Sequence, residues 1–544
     1  MFRSAPQVET PAGWWNSRWF LVGLVLLGIL PLLYPTIPPL VDLPEHMGRY
    51  RIQLSGPADP LLRDYFSFHW AFIANLGVDL LIVPLAAIFG IELGVKLIVI
   101  GIVVLTMTGM LWTAREAHGR VPPPALFALP LAYSFPFIWG FLNFLLSMAL
   151  ALNAYALWLR LGRQQRWTLR HALFVPIGLA LTVAHIFGWA VLCLLAFGAE
   201  TVRARDAGRK FVPSLWQGAI SCLSLAPPLL LLVAWRSGDA NGQNIDWFFW
   251  RAKYVYMVSI LRNTWMNFDL ACVYLLWTLV AFGLAGVWVR MNRTLGIAAL
   301  MLIIAYIALP RILFGSAYAD MRLAPYVMMV SVIALGPARP SQKQAAIVAF
   351  LATGLFVWRI ALLTESFIVH HGANEHQLEA LNHIRPGSRV FVEVNLPCLS
   401  KWETSRMDHL GAMAIVRRGA FANGQWTDPG AQLVRIKYAP AKGFAEDPTE
   451  ILRPRGCNDR RSKTYPAGLN NLPHDAFDYA WLIDMPRDQW NSFPGLTPIW
   501  NGGASGILYR VGPRPPWSVP MPEPVGSAKR AIDTPAGNRP RTAT

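Results

Sequence analysis

RWFLVGLVLLGILPLLYPTIPPLVDLPEHMGRYR, residues 18–51, holds the two readings on which the fold turns. Its first half is apolar almost without a break, and a helix needs about 20 such residues to cross the hydrocarbon layer of a bilayer. KLIVIGIVVLTMTGMLW (96–112) and LACVYLLWTLVAFGLAGVW (270–288) repeat the pattern. Of the 544 residues, 54% are hydrophobic, more unbroken apolar sequence than a water-soluble core can use. The sequence therefore predicts an α-helical polytopic membrane protein. The second half, VDLPEHMGRYR (41–51), sets two acids, a histidine and two arginines just outside the first span, in a chain only 15% charged.

The net charge of +17 is no sign of nucleic-acid binding. Much of it lies in the short loops 114–120, 160–170, 203–210, 290–293 and 338–343, the pattern that the positive-inside rule leaves in cytoplasmic loops. More of it lies in a polar tail, 513–544, which reads as disordered. Arg3 and Arg18 precede the first span with no small-residue cleavage site, so residues 1–18 read as a cytoplasmic N-terminus on an uncleaved first span.

Placing every basic loop inside fixes the parity of the crossings. FVPIGLALTVAHIFGWAVLCLLAF (174–197) must leave and return, so two short helices are expected to meet near His185. SFPFIWGFLNF (134–144) turns at Pro136 and Gly140. Parity allows only an odd number of crossings between 70 and 113, and HWAFIANLGVDLL (69–81) is laid at the outer interface because Asn75 and Asp79 suit the bilayer poorly. The count is then about eleven crossings, with the N-terminus inside and the C-terminus outside. Residues 19–363 form the transmembrane domain, with an outer loop at 36–69. Residues 364–512 are less apolar and read as an extracytoplasmic α/β domain, from a helix, a Gly and a strand in EHQLEALNHIRPGSRVFVEV and later strands at DYAWLID and SGILYRV. Cys398 and Cys457 fall in this part and are able to pair in an oxidising compartment.

Pro44 suits the first turn of a helix, which sets Asp42 at its N-terminus, where the dipole favours the ionised carboxylate. Glu45, His46 and Arg49 then share one helical face. Two readings stand level. One is a general base at the membrane boundary; the other is a helix cap with a Glu45–Arg49 ion pair. His185 at its hairpin tip either meets a phosphate or bonds a backbone carbonyl. Arg311 and Arg322 lie near membrane depth, where charges are costly and often functional, although ion pairs or snorkelling explain them equally. Arg251, Lys253 and Arg262 accompany Trp247, Phe248, Phe249 and Trp250, a mixture that suits an interfacial helix as well as a lipid-phosphate site.

An acid in the first outer loop, directly after the first span, resembles the C-type glycosyltransferase (GT-C) superfamily, which includes the aminoarabinose transferases, protein O-mannosyltransferases and oligosaccharyltransferases. DLPEHMGR also resembles the D-x-P-x-H-x-x-R stretch of uncharacterised bacterial membrane proteins of that architecture, and NLGVDLL, FPFIWGFLNF, LTVAHIFGW and DMRLAPY follow in the expected order. The resemblance covers most of residues 18–365. It implies transfer of a sugar, with inversion, from a polyprenyl-phosphate donor to a glycan, lipid or protein acceptor outside the cytoplasmic (inner) membrane of a bacterium. By position Asp42 matches the catalytic acid, with Glu45 and His46 in the same catalytic stretch. Arg49, His185, Arg251, Arg262 and Arg322 are the candidates for substrate or phosphate. The first loop has no D-x-D, so no metal and no further cofactor is expected, and the next outer turn offers only Asn143 where several relatives place a second acid. A transporter or flippase for lipid-linked saccharides and a non-catalytic assembly protein are the alternatives.

Overall fold

The computed structural model describes residues 12–236, 244–286, 289–313, 316–337, 341–398, 401–427, 431–442, 450–452, 469 and 472–513. Cys457 and the tail from residue 514 lie outside the described residues.

Helix α1 (Arg18–Gly28) is followed by one further helical turn, Leu30–Leu33, and an irregular stretch before α2 (Leu43–Ser55), which has Pro44 in its first turn, where a missing N–H costs nothing. Gly90 separates α3 (Gly77–Phe89) from α4 (Ile91–His118). The five-residue turn α5 (Phe135–Trp139) precedes α6 (Leu142–Arg163). His185, in extended backbone, separates α7 (Trp167–Ala184) from α8 (Ile186–Asp206), the two-helix arrangement expected around that residue. After a pair of helices bent by 45° between Phe211 and Val233 come α9 (Met266–Ala285), α10 (Arg293–Ala308), α11 (Ala319–Ile333) and α12 (Gln342–Leu378).

Among the described residues six helices, α4, α6, α7, α8, α9 and the one containing α12, are long and apolar enough to cross a membrane, or seven if the bent pair is one span. About eleven crossings thus require shorter helices such as α1 and α10 as well. Between residues 70 and 113, α4 is the helix long enough to cross. The 13 residues of α3 reach about 20 Å, short of a hydrocarbon layer of about 30 Å.

The two ends of the bundle differ in kind. Arg163 meets Glu116 at 2.6 Å, Arg293 pairs with Asp206, and Asn292 donates to the Ala117 carbonyl at 2.8 Å. These bonds gather four of the basic loops at one end. α11 runs between the ends: its last residue, Ile333, offers its carbonyl to His118 at 3.0 Å, and its first turn carries Asp320 and Arg322 at the other end.

At that second end lies a sheet. The strands are β1 (Phe66–Phe68), β2 (Arg389–Asn395), β3 (Phe421–Ala422), β4 (Val434–Ile436), β5 (Glu450–Leu452), β6 (Tyr479–Pro486), β7 (Leu496–Asn501) and β8 (Ser505–Val511). The main sheet runs β3–β2–β6–β8–β7, with β5 also beside β2. β2 pairs in parallel with β3, β5 and β6, while β8 is antiparallel to β6 and β7. Residues Val390 to Val394 are buried without alternation, as in a strand covered on both faces. The expected helix–Gly–strand order and the later strands therefore appear.

Two features join sheet and spans more tightly than the sequence implied. α12 runs unbroken for 37 residues, about 55 Å, so the boundary expected at 363–364 falls inside a continuous helix. Its end reaches the sheet, where Gln377 accepts from the Asp484 amide at 3.1 Å. In addition, β1 of the 36–69 loop pairs with β4, Phe66 opposite Ile436 and Phe68 opposite Val434. Tyr65 donates to the Gly387 carbonyl at 2.8 Å.

Candidate active site

Asp42 is held from its backbone. Gly140 closes α5 in the left-handed region, φ +89°, which turns the Ile138 and Trp139 carbonyls toward the incoming chain. The Val41 amide donates to Ile138 at 3.1 Å and the Asp42 amide to Trp139 at 2.8 Å. A Cβ on Gly140 would sit 3.4 Å from the Asp42 nitrogen and 3.3 Å from Leu40 Cβ, so the approach is fitted to glycine.

Asp42 occupies the N-terminal cap position of α2, yet its side chain makes no capping hydrogen bond. Its carboxylate, 19% exposed, lies 3.7 Å from His409 Nε2. Burial pushes its pKa up to about 6, against the pull of His409 and His46, with Glu45 and Asp408 adding to the rise. The cap reading of the sequence therefore does not describe what this side chain does.

Glu45, 2% exposed, points into the contact with the sheet region. Gln425 donates to its Oε1 at 2.6 Å, Gln432 to the same oxygen at 3.4 Å, and His46 Nδ1 stands 3.1 Å from Oε2. Burial raises its pKa, but His46 and Arg49 outweigh that and hold it below the usual carboxylate range. Gly48, on the next turn, leaves room for this contact: a Cβ there would come within 2.5 Å of Gln425 Oε1.

Arg49, 3% exposed, pairs not with Glu45 but with Asp79 of α3. Its Nε lies 3.3 Å from Oδ1, and Nη2 donates to Oδ2 at 3.3 Å and to the Tyr50 hydroxyl at 3.3 Å. Asn143 donates to Asp79 Oδ2 at 2.8 Å and accepts from the Val78 amide at 2.6 Å; Gln53 donates to the Asp79 carbonyl at 2.7 Å. A carboxylate with this company is compatible with burial, which its isolated reading as a poor bilayer residue did not reveal. It fastens α2, α3 and α6 together.

The remaining cations divide. Arg322 lies 4.1 Å over the Phe141 ring, donates to Ser316 at 3.3 Å, feels the charge of Asp42, and acts in turn on His185. Among the described residues its buried Nε has no hydrogen-bond partner. His185 accepts the Phe187 amide on Nδ1 at 3.2 Å and packs edge-on against Phe144. Arg262 is engaged elsewhere, donating to the Trp402 and Lys401 carbonyls at 2.6 and 2.8 Å and lying 5.0 Å from the Phe135 ring centre. Arg311 meets Asp246 at 3.3 Å, and Lys253 meets Asp320 at 3.3 Å. Arg251 is exposed. Among the described residues no hydrogen bond or ion pair joins Arg251 or Arg262 to the Asp42 cluster. The structure thus brings Asp42, Glu45, His46, Arg322 and His185 to one end and engages Arg49 and Arg262 in other contacts.

Sequence reasoning missed His409, Asp408, Gln425 and Gln432, all from the C-terminal region, and Arg406. Buried Arg406 donates to Asn263 at 2.6 Å and to Ile138 O at 3.4 Å, the carbonyl that also takes the Val41 amide. The DH pair in SRMDHLGAM was the available signal, but nothing in its spacing connects it to residue 42. Among the described residues no group of three or more His, Cys, Asp or Glu is arranged to hold a metal ion.

No family model matches the sequence, and no curated relative matches it. Two solved structures of ArnT from Cupriavidus metallidurans are similar to the chain. The one bound to undecaprenyl phosphate is 14% identical, with 92% of this chain and 100% of that chain covered and a TM-score of 0.47. The apo structure is 12% identical, with 91% and 99% covered and a TM-score of 0.46. At these values we rest no functional step on the likeness.

Proposed function

We propose that the protein is a membrane glycosyltransferase of GT-C type that transfers a sugar from a polyprenyl-phosphate donor to an envelope glycan, lipid or protein on the outer side of a bacterial inner membrane. The observation that carries the reading is Asp42: a carboxylate that caps nothing, ion-pairs at no closer than 3.7 Å, and has a pKa raised to about 6 by burial. A base of that strength accepts a proton at neutral pH while remaining largely ionised.

In the reaction the acceptor hydroxyl gives its proton to Asp42 as its oxygen attacks the anomeric carbon. The bond from that carbon to the phosphate oxygen breaks, and the polyprenyl phosphate leaves with the electron pair. Attack from the opposite face inverts the centre. Arg322, whose Nε lacks a partner among the described residues, meets the phosphate charge, with His185 beside it. Glu45 and Arg49 act by fixing α2: Glu45 takes the amides of Gln425 and Gln432, and Arg49 binds Asp79. The outer placement of the site follows the positive-inside rule, because the basic loops gather at the other end. A disulfide at Cys398 supports an oxidising compartment for the sheet region.

The phosphate assignment is tested by native mass spectrometry of the purified protein with undecaprenyl phosphate. Arg322→Gln is expected to weaken retention of the lipid at least tenfold. Equal retention by wild type and variant refutes the assignment.

A further inference from the structure

The contacts of the C-terminal region reach Asp42 itself. His409 opens the short turn Leu410–Ala412, and its Nε2 stands 3.7 Å from Asp42 Oδ1. The rest of the region is locked to the same helix: Gln425 and Gln432 hold Glu45 one turn further along α2, and β4 pairs with β1. His409 is therefore presented by a docked surface, not by a free loop.

We propose that His409 is the positioning residue of Asp42, so that the C-terminal region completes the active site and its docking sets the charge state of the base. The inference rests on the transferase reading above and deepens it. The groups facing Asp42 are His46 and Glu45 from α2, His409 and Asp408 from the docked turn, and Arg322 from α11. Burial opposes ionisation of Asp42, and two anions, Glu45 and Asp408, oppose it further. His409 heads the groups that counter this. Burial alone would strip the proton from His409, but Asp408, Asp42 and Glu45 reverse that and raise its pKa. The two side chains thus favour each other's charged form, the histidine easing ionisation of the carboxylate and the carboxylate easing protonation of the imidazole. At 3.7 Å the pair leaves the carboxylate oxygens available to an incoming hydroxyl, which a shorter, fully formed hydrogen bond would occupy.

The coupling can be read without knowing the substrate. Thermal unfolding of the purified full chain in detergent is followed by tryptophan fluorescence from pH 4.5 to 8.5 for wild type and Asp42→Asn. The difference between the two curves grows as pH rises above the unfolded-state value of 3.8 and levels off where folded Asp42 ionises, near pH 6. In the His409→Gln background that levelling-off point is expected to move up by about one pH unit, because an opposite charge has been lost. In His409→Lys, which keeps a cation, it stays at or below the wild-type position. A histidine that merely packs lowers the melting temperature at every pH and leaves the levelling-off point where it was, and that result overturns the proposal. Should His409→Gln not fold, the His409→Lys comparison still decides, since an upward shift there contradicts an electrostatic role.

The link to chemistry uses membranes from cells expressing each variant, with the products that depend on the protein followed by mass spectrometry across the same pH range. His409→Gln is expected to move the acid limb upward by a similar amount and to keep most of its rate at high pH, and His409→Lys restores the limb. An unmoved acid limb with a lower plateau sinks the positioning role while leaving the transferase reading intact. If Asp42→Asn membranes make the same products as wild type, the transferase reading fails, and the His409 role in catalysis falls with it.

Discussion

Replacing Arg49 by Met tests whether the Arg49–Asp79 pair is structural or part of a phosphate site. The methionine keeps most of the apolar stem and removes the guanidinium. What remains is Asp79 with its Asn143 hydrogen bond at 2.8 Å, deprived of two contacts at 3.3 Å in surroundings where Arg49 is 3% exposed. Breaking one partner of a buried pair costs about 3–5 kcal/mol. Changing both, Arg49→Met with Asp79→Leu, removes the stranded charge. The double variant then owes the Asn143 donor that loses Asp79 and the long bond from Arg49 to the Tyr50 hydroxyl, about 1–2 kcal/mol, since the Asn143 amide still reaches the Asn75 carbonyl at 2.7 Å. The assay is denaturant unfolding of the purified protein in a mild detergent, run as a double-mutant cycle. The reasoning predicts that the double variant recovers at least half of the single variant's loss. A double variant as unstable as Arg49→Met, or a single variant costing under about 1 kcal/mol, refutes it. A double variant that is stable but makes no product would return Arg49 to the substrate site.

Other expectations follow from the same geometry. Asp42 has a folded-state pKa raised from 3.8 to about 6, so stability declines as pH rises through that window, and the cost of ionising it is complete above about pH 6. Asp42→Asn should therefore gain up to about 3 kcal/mol at pH 7.5 and nothing near pH 4, measured by unfolding at both values. Gly140→Ala must place a Cβ at φ +89° and beside the Asp42 amide; a stability loss of about 1–2 kcal/mol and a disproportionate loss of activity are expected from parallel unfolding and product assays. Gln425→Leu deprives buried Glu45 of its 2.6 Å donor and should cost about 1–3 kcal/mol, with greater protease sensitivity at the junction between α2 and the sheet region.

Much of the helical arrangement was legible because apolar length and Gly or Pro punctuation are local signals. The break at His185, the turn at Gly140 and the helix begun by Pro44 are each written within a few residues. Asp79 shows where such reading stops. Judged alone it is too polar for a membrane setting, which pushed residues 69–81 out to the interface. Its acceptability depends on Arg49 and Asn143, partners on other helices that no local pattern reveals. The Glu45–Arg49 ion pair, part of one of the two readings, fails for the complementary reason: Glu45 stands at ideal spacing on the same helix, yet it is taken by Gln425 and Gln432. Asp42 was singled out because it sits at a helix start after a span. His409, which faces it, belongs to a turn with no motif and comes into place only when β4 pairs with β1 and α12 carries the chain out to the sheet.

The central claim is that Asp42 is the base of an outer-face sugar transfer. The direct measurement is mass spectrometry of envelope glycans and glycolipids from a deletion strain carrying either wild type or Asp42→Asn at matched membrane levels. The account predicts that Asp42→Asn, folded and at least as stable as wild type at neutral pH, matches the empty deletion and lacks one sugar-mass increment. Full restoration of the wild-type profile by Asp42→Asn would contradict it.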